Sequence, residues 1–490
     1  MNEKQTKKNL LMYPLGTVGR DMMYVIFNSY LLTYVMYTRD LSYAQLGAIT
    51  AIMVAARIFD ALNDPIMGNI IEMTKTKWGK FKPWLLVGIL GTSLVIYVIF
   101  NSKLTGWAFI VEFGICYFLY SITYTMHDIS YWGMIPALSS DGNERNTFTS
   151  RTTLFAGIGS TLAQILIPMF TAGAMTIGGS SNVAYGRIAL IIAILGPLFI
   201  LFPLLGVKER RDTTASTTKK TSFKDFIKPF LVNDQLVWIA IIFLIQQIGN
   251  CIVLNGIANN YIYFEFGYEG GLYGLFTTVG LSATAILMII YPMLSRKFTR
   301  NQMAAAGTIV GICGYAIQLV AGLVMASTMT KFYIITIGFM FANFGQYLLY
   351  LIMMISVINT VEYNEQKTGE RAEAIISSVR PFVTKMASAI VVIITSVTYM
   401  IINATNYTNQ ISNLEREASM GNIVEADKIS KISEVINSVG STQKIGLLLA
   451  MTIIPCILMI ISCLLYRKKY TLTEAKYDEI CKELEARNNH

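Results

Sequence analysis

Arg-Ile-Phe-Asp-Ala-Leu-Asn-Asp-Pro-Ile-Met-Gly, residues 57–68, sets three ionisable side chains inside a segment, 43–73, that is otherwise mostly apolar. Arg57, Asp60 and Asp64 stand at i, i+3 and i+7, so a helix carries them as one stripe, with Asn63 beside it. Such a helix is too apolar for water and too charged for bare lipid. The rest of the chain shows which solvent surrounds it. Of the 490 residues, 54% are hydrophobic and only 14% charged, where a soluble protein carries about 25% charged residues. Mean hydropathy is +0.51. Apolar stretches recur along the whole chain, and a bilayer core of about 30 Å needs about 20 such residues in a helix. Only elements that satisfy their own backbone can cross it. The expected fold is therefore an all-α polytopic membrane protein of about twelve helices.

The expected helices run over 9–37, 43–73, 82–101, 107–137, 150–177, 184–207, 234–266, 269–295, 302–325, 332–360, 377–404 and 444–466. The formal charge of +9 sits mainly in two loops between them. Lys75, Lys77, Lys80 and Lys82 share one. Lys208, Arg210, Arg211, Lys219, Lys220, Lys224 and Lys228 share the other. This positive-inside bias places both termini in the cytoplasm of a cell inner (plasma) membrane. The basic balance records topology and gives no reason to expect a nucleic-acid partner. Cys116, Cys251, Cys313, Cys456, Cys463 and Cys481 form no CxxC pair, and read as small core residues with no transition-metal site. No cofactor is expected. The start, Met-Asn-Glu-Lys-Gln-Thr-Lys-Lys, leads into a retained helix with no small-residue cleavage site.

The polar segment 208–233 divides the chain into bundles of six helices, 1–207 and 234–467, followed by a cytoplasmic tail at 468–490. Corresponding loops look alike. Asn-Glu-Arg at 143–145 precedes Arg151, as Gly-Glu-Arg at 369–371 precedes Arg380. Same-direction repeats of six helices build major-facilitator carriers, with substrate at the midplane. The external loop 405–443 is polar and periodic, and is expected to form an amphipathic hairpin or short helix outside the membrane.

An ionisable residue at mid-bilayer costs about 2.5–3.5 kcal/mol on the insertion scale. Arg20, Asp21, Arg57, Asp60, Asp64 and Asp128 must therefore pair with one another, face water, or bind something polar. Hard cations prefer carboxylate, amide and hydroxyl oxygens, which Asp60, Asn63, Asp64 and Thr125 offer; a carboxylate cluster serves a proton equally. Tyr124, Asp128 and Trp132 stand at i, i+4 and i+8. A carboxylate beside an aromatic face suits a sugar, accepting hydroxyl hydrogens while the ring covers the C–H side. Arg20, Asp21 and Arg151 would complete that site. The plainer alternative is a set of structural ion pairs gluing helices, above all for Arg57. Lys385 has a coupling or substrate role, or snorkels, and Arg380 stands near the start of its helix. Gln246, Gln247, Asn250, Asn255, Asn259 and Gln346 line a pathway or bond helix to helix. Glu112 and Glu265, near the expected external ends, read as solvated. His127 points off the Asp128 face.

The 57–68 string, with Trp-Gly-Lys-Phe-Lys-Pro-Trp at 78–84 and Asp-Ile-Ser-Tyr-Trp-Gly-Met-Ile-Pro at 128–136, resembles the glycoside–pentoside–hexuronide:cation symporter family, typified by the melibiose carrier. Gly-Arg-Asp at 19–21, Glu-Tyr at 362–363 and Lys385 fall where that family has matching features. The resemblance implies a major-facilitator fold and cation-coupled sugar symport by alternating access. It implies a Na⁺ or H⁺ site at Asp60, Asn63, Asp64 and Thr125. It implies a sugar site at Arg20, Asp21, Tyr124, Asp128, Trp132 and Arg151, with Lys385 near both. Glu144, Arg296, Glu362 and Arg371 match loops that gate the cytoplasmic side.

Two departures bear on the substrate. Tyr350 stands where the melibiose carrier has Trp, and Arg380-Pro381 replaces a Gln–Thr pair. A cavity-facing Arg could bind a carboxylate bidentately, which points to a uronide or other acidic glycoside as substrate; the expected function is symport of a sugar or glycoside such as a hexuronide or a pentoside. Two other readings stay open: a lipid or lysolipid carrier of the same fold, and a non-transporting membrane sensor. No nucleophile–base pair or nucleotide loop suggests an enzyme. If Asp64 couples the cation, Asp64→Asn is expected to keep some sugar binding yet lose accumulation against a gradient. Retained concentrative uptake would remove Asp64 from the coupling site.

Overall fold

The computed structural model describes residues 3–139, 142–208, 232–369, 372, 375–376 and 378–488. Arg371 and nearly all of the 208–233 loop lie outside the described residues. Among these, every regular element is helical. The first half holds α1 (Glu3–Asn28), α2 (Leu31–Thr38), α3 (Tyr43–Met73), α4 (Lys82–Phe100), α5 (Gly106–Gly133), the short α6 (Ile135–Leu138), α7 (Gly142–Thr171) and α8 (Ser181–Gly206). The second holds α9 (Asp234–Cys251), a π-helical turn (Val253–Ile257), α10 (Ala258–Phe266), α11 (Gly270–Lys297), α12 (Arg300–Val324), α13 (Met329–Thr368) and α14 (Val379–Ile401). It continues through α15 (Ala404–Ser419), α16 (Glu425–Asn437), α17 (Ser441–Lys469) and α18 (Glu474–Asn488).

Ten helical segments among the described residues are long and apolar enough to cross a membrane. The first two expected spans are the exceptions, for local reasons. The span expected at 9–37 breaks into α1 and α2 at Ser29–Tyr30, and α1 opens on a polar turn. In α3 the 57–64 charges lower the hydropathy, while its start is secured by a capping box. There Ser42 Oγ accepts from the Gln45 N–H, and the Gln45 side chain accepts from the Ser42 N–H. The span expected at 234–266 is interrupted at Asn255–Gly256, where Gly256 takes φ 105, a conformation that glycine adopts without a Cβ penalty.

The chain folds as two compact units, and their limits differ from the expected halves. One unit comprises Met1–Thr214, Asn259–Thr278 and Thr395–Lys444; the other comprises Ala215–Ala258, Val279–Ile394 and Ile445–His490. Segments of the second half at 259–278 and 395–444 belong to the first unit because polar contacts bind them there. Asn409 bonds the Leu41 backbone, Thr50 Oγ1 donates to Ser396 Oγ at 2.7 Å, and the Tyr37 hydroxyl donates to Asn260. Glu265, expected to be solvated, is buried there with Lys444 at 3.6 Å. Glu112 accepts from the Ser102 hydroxyl. The expected 405–443 segment is the helix pair α15–α16.

The first unit has an aromatic core, with Tyr13, Phe27, Tyr34, Phe109, Phe113, Tyr117 and Tyr131 all fully buried. Phe27 of α1 stacks on Tyr120 of α5 at 3.5 Å. Lipid offers no hydrophobic drive between helices, so close backbone approach matters more. A Cβ at Gly159 of α7 would collide with the Val18 carbonyl of α1. The second unit packs α12 on α13 the same way, where a Cβ at Gly345 would strike the Gly307 carbonyl. Around that seam lie Leu236, Phe243, Leu349, Met353 and Met459.

The chain beyond 468, expected as a tail, is helical and docked on this second unit. Ile480 and Leu484 of α18 are buried, and Arg300 bonds Glu474 Oε1 from its backbone N–H at 2.6 Å and from Nε at 3.1 Å. Glu362 sits within α13, which runs eight residues past the expected end to Thr368. Arg296 is in the last turn of α11, and Glu144 in the first turn of α7. These three belong to helix ends and not to loops, because the helices outlast their apolar runs. Overpacking typically costs about 1–3 kcal/mol. Gly159→Leu is therefore expected to lower the melting temperature in detergent, with Gly159→Ala intermediate, and equal melting for all three chains would contradict the α1–α7 contact.

Candidate functional site

The charged residues of α1, α3 and α5 meet inside the first unit in two adjoining clusters. Arg20 anchors the first. Its Nε and Nη2 donate to Asp21 Oδ2 at 3.0 and 2.8 Å, and Nη1 donates to Asp128 Oδ1 at 3.0 Å. The Arg20 side chain is only 4% exposed while that of Asp128 is 36% exposed, so the carboxylate is the open partner. The guanidinium carbon also lies 5.3 Å from the Tyr131 ring centroid and 5.2 Å from that of Trp132. A cation so placed is held by ring quadrupoles as well as carboxylates. Arg20 therefore fixes Asp21, Asp128 and Trp132 as one rigid group.

Tyr124 borders this group. Its ring stacks on Tyr120 at 5.3 Å and lies 5.7 Å from Tyr24. Arg151 does not join them. Its side chain is exposed on α7, and its Nη1 donates to the Leu10 carbonyl at 3.4 Å. His127 is fully buried, and among the described residues neither ring nitrogen has a hydrogen bond. It lies where α4 packs on α5, since a Cβ at Gly88 would meet the His127 backbone N at 2.6 Å. It therefore belongs to the α4–α5 seam and not to the Asp128 face.

The second cluster lies between α3 and α5. Thr125 Oγ1 donates to Asp64 Oδ1 at 3.2 Å, and the Ser121 hydroxyl donates to Asp60. Asn63 points a buried amide nitrogen with no hydrogen-bond partner among the described residues. Arg57 Nη1 stands 3.8 Å from Asp60 Oδ2, and Nη2 donates to Asn28 Oδ1 at 2.5 Å. Asn28 in turn donates to the Tyr120 hydroxyl at 3.0 Å. Carboxylate and hydroxyl oxygens are thus gathered between α3 and α5, the ligand type that hard cations prefer.

Sequence reading missed Ser121, Tyr120 and Asn28. Ser121 had a signal: it stands at i−4 from Thr125 on the stripe that continues through Asp128. Asn28 had none, because its position at the α1–α2 break is tertiary. The two clusters share α5, where Thr125 and Asp128 stand at i and i+3.

Within the second unit, Arg380 is exposed and its Nε donates to the Tyr350 hydroxyl at 3.2 Å. Lys385 is half-buried on α14. Gln246 and Gln346 are helix glue. Gln246 Nε2 donates to the Gln346 carbonyl at 2.9 Å, and Gln346 Nε2 donates to the Tyr315 hydroxyl at 3.0 Å. Gln247 reaches Thr384 Oγ1 at 3.5 Å, Asn250 reaches Gln247 at 3.4 Å, and Asn255 bonds the Cys251 carbonyl at 2.6 Å across the π-turn. In the first unit, Asn259 donates to Thr33 Oγ1 at 3.4 Å. Of the expected gating residues, Glu144 accepts from Ser139, Arg296 is exposed, and Glu362 is half-buried beside Tyr477. Arg371 lies outside the described residues.

A model of the family described as MFS/sugar transport protein matches residues 12–474. The chain belongs to that family, which is one of transporters and not of enzymes. It is 30% identical to a lactose permease of Leuconostoc lactis over 402 residues, covering 78% of this chain and 60% of that protein. It is also 30% identical to a lactose permease of Lactobacillus delbrueckii subsp. bulgaricus, covering 97% of this chain and 72% of that one. The chain thus spans 60% of the first relative's length and 72% of the second's. Among solved structures, a bacterial homolog of the human lysosomal transporter Spinster superposes with a TM-score of 0.63 at 12% identity, covering 95% of this chain and 98% of that one. That likeness shows a shared fold, which with the family match is the major-facilitator fold.

Breaking one partner of a buried ion pair typically costs about 3–5 kcal/mol. Arg20→Gln is expected to weaken substrate binding at least about tenfold and to destabilise the chain, because two carboxylates lose their counter-charge. Substrate binding within twofold of the parent, in a variant that still melts cooperatively, would show that Arg20 does not build the site.

Proposed function

We propose that this chain is a cation-coupled sugar symporter of the plasma membrane that works by alternating access, with both termini in the cytoplasm. The observation that carries the reading is the pairing on α5 of Asp128, open and braced by Arg20 beside Trp132, with Thr125, bonded to Asp64 one turn earlier. The first group suits sugar hydroxyls and the C–H face of a ring. The second suits Na⁺ or H⁺, with Asp60, Asn63, Asp64, Thr125 and Ser121 as its oxygens. Cation binding lowers the charge repulsion around Asp64, orders α5, and so favours sugar binding at Asp128. By linkage the sugar favours the cation equally.

The lactose permeases among the relatives support a neutral galactoside as the first substrate to try. A second reading, an acidic glycoside, rests on the exposed guanidinium of Arg380 on the Tyr350 hydroxyl. Tyr350, Arg380 and Lys385 are assigned to the substrate in either case, and Glu144, Arg296, Glu362 and Arg371 to gating.

Purified protein in proteoliposomes is to be tested with lactose, a pentoside and a glucuronide, each under an imposed Na⁺ or H⁺ gradient. Concentrative lactose uptake under one gradient is expected. Uptake of glucuronide alone, lost in Arg380→Gln, would establish the acidic reading instead. No uptake of any sugar under either gradient would refute sugar symport and direct the search to lysolipids.

A further inference from the structure

The α15–α16 hairpin joins α14 to α17, yet its polar contacts run to the first half of the chain. The buried face of α15 recurs at helical spacing through Thr405, Thr408, Ile411, Ser412 and Glu415, and Lys428, Ile432 and Ile436 form that of α16. At its centre is an ion pair shut away from solvent. The side chains of Glu415 and Lys428 are 0% and 1% exposed, with Lys428 Nζ 3.5 Å from Glu415 Oε2.

Both charges also hold the turn before α8. Lys428 Nζ donates to the Gly179 carbonyl at 2.7 Å, and Glu415 Oε2 accepts from the Ser181 backbone N–H at 2.7 Å. Asn409 grips a second first-half segment in both directions. Its Oδ1 accepts from the Leu41 N–H at 3.1 Å, and its Nδ2 donates to the Leu41 carbonyl at 2.8 Å. At the foot of the hairpin, Asn403 takes the left-handed φ of 54 and accepts from the Tyr43 hydroxyl at 2.5 Å. Gln443 Nε2 donates to the Ile402 carbonyl at 2.9 Å, tying the two feet together.

Connecting two helices needs only about 2–8 residues, so the length and polarity of this segment serve something besides connection. A buried ion pair adds little net stability but is costly to separate while it stays buried. Undocked, both side chains would reach water; docked, Lys428 Nζ and Glu415 Oε2 meet each other and the 179–181 backbone, while Glu415 Oε1 is buried with no hydrogen-bond partner among the described residues.

We propose that the hairpin is a latch, in which Glu415 and Lys428 clasp the 179–181 turn and Asn409 clasps Leu41. Docked, it binds the chain between α14 and α17 to segments of the first half within one compact unit, and each transport cycle requires its release. The latch goes beyond the transport reading and depends on it only for the uptake arm of the test.

The reporter is Ser412→Cys, which is 2% exposed on the docked face. It is to be labelled with a membrane-impermeant maleimide in the purified full chain, with the parent chain as background. Slow labelling is expected, accelerated about tenfold or more by Glu415→Gln. Asn409→Ala is a milder second variant, expected to accelerate labelling in the same direction should Glu415→Gln fail to fold. Labelling equally fast in all backgrounds, or unchanged by either variant, overturns the latch. In proteoliposomes, a short bis-maleimide joining Leu41→Cys to Asn409→Cys is expected to reduce lactose uptake to background, while either single-cysteine variant keeps it. Undiminished uptake by the cross-linked carrier also overturns the latch. Absence of uptake before cross-linking refutes only sugar symport, and the labelling result still decides the latch.

Discussion

Charge cannot stay bare in a layer that excludes water, and this constraint organises the first unit. Six ionisable side chains on α1, α3 and α5 meet in one region, each made tolerable by a neighbour. Arg20 is the central case. Its guanidinium meets Asp21 and Asp128 by hydrogen bonds and Tyr131 and Trp132 by their ring faces. Three of its five N–H groups are committed to the two carboxylates, which holds the group in place. Under the proposed function, such bracing of Asp128 and Trp132 would lower the ordering cost of binding a sugar.

The same need for partners accounts for features that look incidental. Chain breakage at 29–30 leaves Asn28 at the end of α1, where its carbonyl oxygen accepts from Arg57 and its amide donates to the Tyr120 hydroxyl. The stack of Phe27 on Tyr120 holds that end of α1 against α5. Backbone contact at Gly159 brings α7 close against α1, where Thr17 Oγ1 donates to the Thr152 carbonyl at 3.3 Å. Polar satisfaction and close packing are here a single device, because helices that drift apart in lipid leave their charges without partners.

Sharing α5 between the two clusters has a mechanical consequence. Thr125 and Asp128 sit on consecutive turns of one helix, and Ser121 precedes them by one more. A change of charge or ligation at Asp60 and Asp64 acts on the helix that carries Asp128. In the proposed symporter a rigid helix would transmit such a change without any further chain of side chains, and that would be the physical content of the coupling proposed between the two clusters. At the 402–440 end of the same unit, a buried ion pair serves geometry instead of chemistry, holding a helical hairpin on the turn before α8.

Hydropathy and helical spacing determined the all-helical membrane fold, the stripe Arg57–Asp60–Asp64, and the stripe Tyr124–Asp128–Trp132, because periods along one helix are set by covalent geometry alone. The motif strings pointed further, to a sugar-transport family, and the family match over residues 12–474 agrees. Which stripe meets which neighbour is another matter. Ser121 on Asp60, Asn28 on Arg57, Arg151 turned toward Leu10, and His127 buried against α4 all depend on how helices pack. So do the docking of α18, the buried Glu265, and the Glu415–Lys428 pair, whose partners lie far apart along the chain or on helices that the apolar pattern does not mark. A sequence shows which side chains need partners; only the packed helices show which partners they find, since distances across helices are set by packing and not by spacing.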